Sequence, residues 1–320
     1  VTQERDEKEV AFQQKAQAVV DADRSAYLAN KQERLGHEYL LKAIQAVDQM
    51  LNRVADERLA NVPQMERVRQ SLLEDAHRFY EEFLQNQGDD PELRFEIAIS
   101  YRRMGSMQRF LGEPNEAVKA IETSIRLLTK LNAEFPSDAE YCRQLADSYQ
   151  LVGFIYTWHT NPWAGERAFR KAVSQYNDLM ADDSGFDYRF SLAETYEGLA
   201  SAMTALQRNA EAVSECEKGL AVAEDLVANN PDVPQFRDRL RRNLYVQGVV
   251  LRNAGNPVAA ETPLRRALVI STELFDVSPD ELEYRHALAM NQIELGRVLH
   301  EMGQEQAAEQ AAVQGLELEE

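Results

Sequence analysis

Small residues recur in this chain at a spacing that leaves little choice of fold. Gly105, Gly153, Ala200, Gly248 and Gly296 follow one another at 48, 47, 48 and 48 residues. Twelve residues beyond each comes a second small residue: Ala117, Gly165, Ala212, Ala260 and Ala308. Twelve residues before each comes a large one: Leu93, Tyr141, Tyr188, Phe236 and Tyr284. Small residues at such points let two antiparallel helices approach closely, where large ones hold the axes apart. Gly112, Gly255 and Gly303 fall between the paired helices, and Pro136, Pro231 and Pro279 close three of the hairpins. The pattern predicts five helical hairpins from Leu93 to the C-terminus, stacked as an all-α solenoid.

The pairing of a Gly with a small residue twelve positions later resembles the tetratricopeptide repeat. In that frame Tyr101, Tyr149 and Tyr196 take the large packing position of the first helix, and Ile121, Phe169 and Leu264 that of the second. The repeat implied by the resemblance is about 34 residues; two extra turns on each helix, at about 3.6 residues per turn, account for the excess. The resemblance spans roughly residues 91 to 320. It implies a binding scaffold, and many different partners use that frame.

Residues 1–90 follow another pattern and are expected to form a separate region. From Thr2 to Arg58 the sequence reads as one long polar helix with a narrow apolar seam of Ile44, Val47, Leu51 and Val54. Asn61, Val62 and Pro63 break it, and Pro63 suits the first turn of a second helix, whose buried face is Leu72, Leu73, Ala76, Phe79, Tyr80 and Phe83. The two are expected to form a hairpin that caps the first repeat, and the seam offers a surface for homodimerisation.

The stretch AVDQMLNRVADERLANVPQMERVRQSLLEDAHRFYEEFL, from Ala46 to Leu84, followed by DDPELRFEIAISYRRMG, is similar to the region after the membrane span of planctomycete-type serine/threonine protein kinases. The resemblance implies a parent with a kinase domain, one transmembrane helix and this repeat region on the extracytoplasmic side. A cytoplasmic location is the alternative. The chain opens on Val within a polar helical pattern, and it is expected to be part of something longer. It carries no glycine-rich phosphate loop, VAIK-type lysine, HRD loop or DFG, so no kinase chemistry is expected from it.

Other chemistry finds little support. Glu74 and His77 make one ExxH pair, whereas a di-iron bundle needs two such pairs and two further inward glutamates. Cys142 and Cys216 have no metal-ligand or disulfide-framework spacing and read as buried free thiols. No catalytic residue, cofactor or metal is expected. A net charge of -19 argues against nucleic acid, because phosphate binding needs a clustered basic surface. No apolar run reaches the roughly 18 residues needed to cross a bilayer.

In tetratricopeptide arrays the first helix of each hairpin lines the concave face. Carried through the Gly105 register, the face would hold Ile99, Arg102, Ser106, Arg109 and Phe110, then Asp147, Gln150, Phe154, Thr157 and Trp158. The third copy gives Glu194, Glu197, Ser201, Thr204 and Ala205; the fourth Arg242, Tyr245, Val249, Arg252 and Asn253; the fifth Met290, Ile293, Arg297, His300 and Glu301. Arg102, Arg109, Arg242, Arg252 and Arg297 concentrate positive charge on the inside of an acidic chain, and Phe154, Trp158 and Tyr245 interrupt it with aromatic anchors. This predicts a partner-binding groove for a protein or extended peptide, acidic and with bulky side chains. The alternative is that the arginines pair with Glu194, Glu197 and neighbouring acids inside the array. The segment WHTNPW, Trp158 to Trp163, replaces the usual glycine turn; packing of both tryptophans on the next repeat is expected, with a partner surface as the alternative.

The reading is therefore a tetratricopeptide-like solenoid of about five long repeats with an N-terminal hairpin, serving as a non-catalytic interaction or sensing module. The rivals are a structural spacer that dimerises through the N-terminal helix and a cytoplasmic adaptor.

Overall fold

The computed structural model describes residues 31, 35, 36, 38–47, 49, 50, 66–87, 90–182 and 186–319. Among them every regular element is helical. They fall in two compact units, Val1–Ser100 and Tyr101–Glu320, with the division inside one helix.

In the first unit, residues 38–47 are helical, and α1 spans Glu66–Gln87. Ile44, Leu73, Ala76 and Tyr80 are buried, which is the apolar face read from the sequence. The rest of the seam (Leu51 and Val54), the break at residues 61–63 and the Phe83 side chain lie outside the described residues. Helix α2 spans Pro91–Phe110. Asp90 opens it, its carboxylate accepting hydrogen bonds from Glu92 N at 2.9 Å and Leu93 N at 3.2 Å.

The second unit continues from the end of α2 through α3 (Pro114–Glu134), α4 (Ala139–Ile155), a π-helical segment Tyr156–Thr160, α5 (Pro162–Asp182), α6 (Phe186–Ala205), α7 (Asn209–Asn229), α8 (Pro234–Asn253), α9 (Pro257–Val277), α10 (Leu282–Glu301) and α11 (Glu305–Glu319). Consecutive helices pack on one another, and α4, α6, α8 and α10 also pack side by side, forming one wall of the stack. Most of these helices run 20 or 21 residues, which is where the excess over a 34-residue unit resides.

The small residues do what their spacing predicts. A Cβ at Gly105 would strike Ile121, one at Gly153 would lie 2.9 Å from Phe169, and one at Gly248 would strike Leu264. The partner is sixteen residues on in each case, and in the third copy that place is filled by Cys216 against Ala200, both buried. Cys216 is thus a small core residue, and burial pushes its thiol up to about 12. Cys142 is only partly buried, with Sγ 3.3 Å from Gln175 Oε1.

Four hairpin turns share one geometry. Gly112, Gly255 and Gly303 have φ of 78°, 78° and 75°, and Gln207 takes the same place at 60°. In each, the following N–H reaches back five residues to a helix carbonyl, as Glu113 N to Gln108 O and Arg208 N to Met203 O, both at 2.9 Å. Gln207 pays the steric cost that glycine avoids there. Gln207→Gly is expected to stabilise the chain by roughly 0.5–1 kcal/mol, read as a higher urea midpoint at unchanged slope; a lower midpoint would contradict this assignment of strain. The second copy has Thr160 at the equivalent position, a β-branched residue for which the left-handed region is costly. Its helix instead widens into the π turn, closed by Asn161 N to Tyr156 O at 2.7 Å.

A buried polar position also repeats. Ser148, Thr195, Asn243 and Asn291 lie five residues before the small residue of the first helix in their copies, and all are buried. Each donates to the carbonyl four residues back, from Ser148 Oγ to Gln144 O at 2.8 Å to Asn291 Nδ2 to Ala287 O at 2.9 Å. Three also join neighbouring copies: Ser148 Oγ lies 3.3 Å from Ser124 Oγ, Thr195 Oγ1 accepts from Gln150 Nε2 at 2.9 Å, and Asn291 Nδ2 donates to Ser271 Oγ at 2.6 Å.

Candidate functional site

A cavity of about 640 Å³ opens on the wall formed by the end of α2 with α4, α6 and α8. Arg102, Arg103, Ser106 and Arg109 supply its first side, Asp147, Gln150, Leu151 and Phe154 the second, and Ser191, Glu194 and Glu197 the third, with Arg242 closing it. Its size lies in the range of sites that hold a compact ligand or a short stretch of peptide.

The acids of this cavity are already engaged. Asp147 accepts Tyr176 Oη at 2.6 Å and faces Arg143 Nη1 at 3.2 Å. Arg239, beneath the cavity floor and 6% exposed at its side chain, holds Glu194 at 3.1 Å and Glu197 at 3.0 Å. The Arg239 guanidinium also lies over the Phe190 ring at 4.5 Å. Even so, desolvation keeps the Glu197 carboxyl above the usual carboxylate range, against the pull of Arg239. Arg242 is divided between Asp238 at 3.1 Å and Glu283 at 2.7 Å.

The arginines of α2 stand differently. The side-chain hydrogen bond of Arg102 among the described residues is Nη2 to the neutral Gln144 Oε1 at 2.7 Å, and its Nε is buried without an acceptor. Gln144 donates in turn to Glu140, so an uncharged amide separates Arg102 from that carboxylate. Removal of solvent pulls the Arg102 guanidinium below the usual arginine range, with Asp147 working in the opposite direction. Arg109 is exposed and makes no ion pair among the described residues. The cavity therefore joins acids that already have partners to two guanidiniums, Arg102 and Arg109, that face no carboxylate among the described residues.

Of the residues predicted for the groove, Arg102, Arg109 and Phe154 come together here. Phe154 is held edge-on by the buried Phe169, with ring centroids 5.0 Å apart. Arg252, Arg297 and Tyr245 are not among the lining residues. Arg252 is bound to Glu294 at 2.6 Å and Glu301 at 3.2 Å, and Arg297 shares Glu294 at 2.9 Å. For these two, pairing inside the array is the observed arrangement. Tyr245 is partly buried against the core of the last two copies. Ile99 and Thr157, placed on the open face by register, are buried instead. The Thr157 hydroxyl presses on Gly165, where the π turn rotates the chain inward.

Trp158 lies outside the cavity, and the expected packing of the tryptophans on the next repeat is not what forms. Trp158 is 66% and Trp163 54% exposed. The π turn carries Trp158 outward, and Trp163, on the first turn of α5, is met by the Arg208 guanidinium 5.6 Å from its ring centre. Arg208 itself is fixed by Glu166 and Glu211.

The residues that sequence reasoning missed are Arg103, Leu151, Ser191 and, behind the lining, Arg239. Arg239 lies nine positions before Gly248, off the register followed for the groove. Its signal was the spacing of 42 from Glu197, which recurs between Arg252 and Glu294 and between Arg208 and Glu166. Glu74 and His77 are both exposed, and among the described residues no three His, Cys, Asp or Glu side chains gather as a metal would need. Among the same residues no helix is long and apolar enough to cross a membrane.

No family model matches the chain, and no curated protein does. Solved structures do. The chain is similar to BtubC (BKLC) from P. vanneervenii, at 18% identity over 77% of this chain and 89% of that one, with a TM-score of 0.55. It is similar to a signal transduction ATPase with numerous domains and a tetratricopeptide repeat sensor from Pyrococcus horikoshii, at 14% identity, 87% and 37% coverage and a TM-score of 0.56. Aspartyl phosphate phosphatase F from Bacillus subtilis matches at 15% identity over 88% and 72%, with a TM-score of 0.52. At these identities the likeness speaks to fold alone: the chain has the architecture of the tetratricopeptide-like helical repeat proteins.

Proposed function

We propose that this chain is a non-catalytic interaction module whose cavity between α2 and α8 receives an acidic segment of a protein or peptide. The observation that carries this reading is the charge imbalance of the cavity: Asp147, Glu194 and Glu197 have partners, while Arg102 and Arg109 have no carboxylate. A guanidinium held with little water and facing a neutral amide gains most from a ligand carboxylate. Charge-assisted bonds of about 1.5–3 kcal/mol each imply that Arg102→Gln and Arg109→Gln weaken an acidic ligand roughly 10- to 100-fold apiece. Fluorescence anisotropy with a labelled acidic peptide library would measure it. Arg252→Gln, whose native guanidinium is held by Glu294, serves as the control. Equal affinity for the native chain and the Arg102→Gln/Arg109→Gln double variant would remove the cavity from consideration.

The wider setting we infer from sequence resemblance: a membrane-anchored serine/threonine kinase whose extracytoplasmic part this module would form. A second reading, a dimerising spacer, draws on Leu35 and Tyr39, which are both exposed. Light scattering separates the two, since a dimer held by residues 1–58 should become monomeric when about the first 40 are deleted, while binding at the cavity persists.

A further inference from the structure

On the reading of the cavity as a site for an acidic segment, α2 also sets the spacing of the acids it accepts. Arg102, Ser106 and Arg109 stand at i, i+4 and i+7 of one helix, and all three line the cavity. Seven residues amount to almost two full turns, so both guanidiniums leave the helix on one face, about 10.5 Å apart along its axis. Arg102 is pinned by Gln144, which leaves Arg109 alone to adjust.

The extended backbone conformations open to a bound segment meet that distance unequally. A β-strand returns a side chain to the same face every second residue, placing acids about 6.6 or 13 Å apart. A polyproline II segment returns one every third residue, about 9.3 Å apart, and it is already extended before it binds, so little ordering is required. Of the two side chains between such acids, one turns from α2 towards α4. There Leu151 and Phe154 supply the apolar part of the lining, and Phe169 fixes the Phe154 ring. The third wall, Ser191 with Glu194 and Glu197 already held by Arg239, offers no cation for a further acid, which confines the charged residues to the α2 side.

We propose that the cavity binds a polyproline II segment bearing two carboxylates three residues apart, with an apolar side chain between them. This rests on the acidic-ligand reading above and narrows it to one register.

The test uses the full chain and fluorescein-labelled proline-rich nonapeptides with two glutamates two, three or four residues apart, a valine between them, and a fourth peptide with glutamines. The peptide with glutamates three apart is expected to bind at least about tenfold more tightly than either neighbouring register. That preference should disappear in Arg109→Gln and survive in Arg252→Gln. Equal binding of the three acidic registers would overturn the spacing and leave the acidic-ligand reading standing. Binding of all three no tighter than the glutamine peptide would overturn both.

Discussion

Phe169→Ala is expected to cost about 3–5 kcal/mol and to divide one unfolding transition into two. The Phe169 ring is fully buried, and its walls are glycines from two different copies: a Cβ at Gly153 would lie 2.9 Å away, and one at Gly198 would collide with the ring's far edge. Only this copy has such a residue at its second-helix packing position; Ile121, Cys216 and Leu264 are smaller. The ring thus joins the second hairpin to the third. A repeat array is stable as a sum of units and nearest-neighbour interfaces, so a cavity at an interface weakens coupling as well as total stability. The chain has two tryptophans, Trp158 and Trp163, both in the second copy, so their fluorescence reports that copy while circular dichroism reports all helices. In the variant the fluorescence transition in urea should precede the dichroism transition, whereas in the native chain the two coincide. Coincident transitions with a loss below about 1 kcal/mol would show that Phe169 is not the joint; its effect would then fall short even of a small core truncation. Gly198→Ala, which pushes on the ring from the other side, should destabilise by about 1–3 kcal/mol.

The architecture was legible because its cause is local and periodic. A glycine or alanine every 47 or 48 residues, a second small residue twelve later and, in three copies, a turn glycine at seven state where helices cross and where they end, and the helices follow that register. The buried polar ladder of Ser148, Thr195, Asn243 and Asn291 was equally visible, at spacings of 47, 48 and 48, but polar residues on a helix are ordinarily assigned to solvent. The candidate site was only partly legible. Register told which side chains leave the wall of inner helices, and so brought out Arg102, Arg109 and Phe154. It could not tell which cations are spent, because an arginine's partner lies one copy along, on another helix, at a distance set by side-chain reach. Arg252 is consumed by Glu294 in this way, and Arg102, facing Gln144, is not. Thr157 was misplaced for a different reason: the π turn shifts the helix phase within one turn, and Thr160 and Pro162, which provoke it, lie after the residues they displace.

Arg239→Leu is expected to destabilise the chain by about 3–5 kcal/mol at neutral pH and to weaken ligand binding, although Arg239 does not line the cavity. Removing one member of a buried pair leaves the other charge desolvated and alone, and here two carboxylates, Glu194 and Glu197, lose their partner together. The sign of the pH dependence follows from Glu197. Its folded-state pKa is raised by desolvation above the ordinary 4.5, so the folded chain favours the protonated form, and ionisation as pH rises through the raised value costs stability. Without Arg239 that pKa climbs further. The deficit of the variant should therefore be largest near pH 7, narrow as the pH is lowered towards 4.5, and reopen on return. Urea titrations of both chains across that interval would measure it, and a deficit independent of pH would mean that lost packing on Phe190, 4.5 Å from the guanidinium, is the whole effect. Arg239→Leu/Glu197→Gln should recover part of the loss at neutral pH, since the amide needs no counter-ion. The same substitution bears on function. Arg239 keeps two cavity acids silent, so its removal should let Glu194 and Glu197 draw on Arg242 and repel an anionic ligand. Peptide affinity would then fall without any change in Arg102 or Arg109, and return in the variant carrying Glu197→Gln as well.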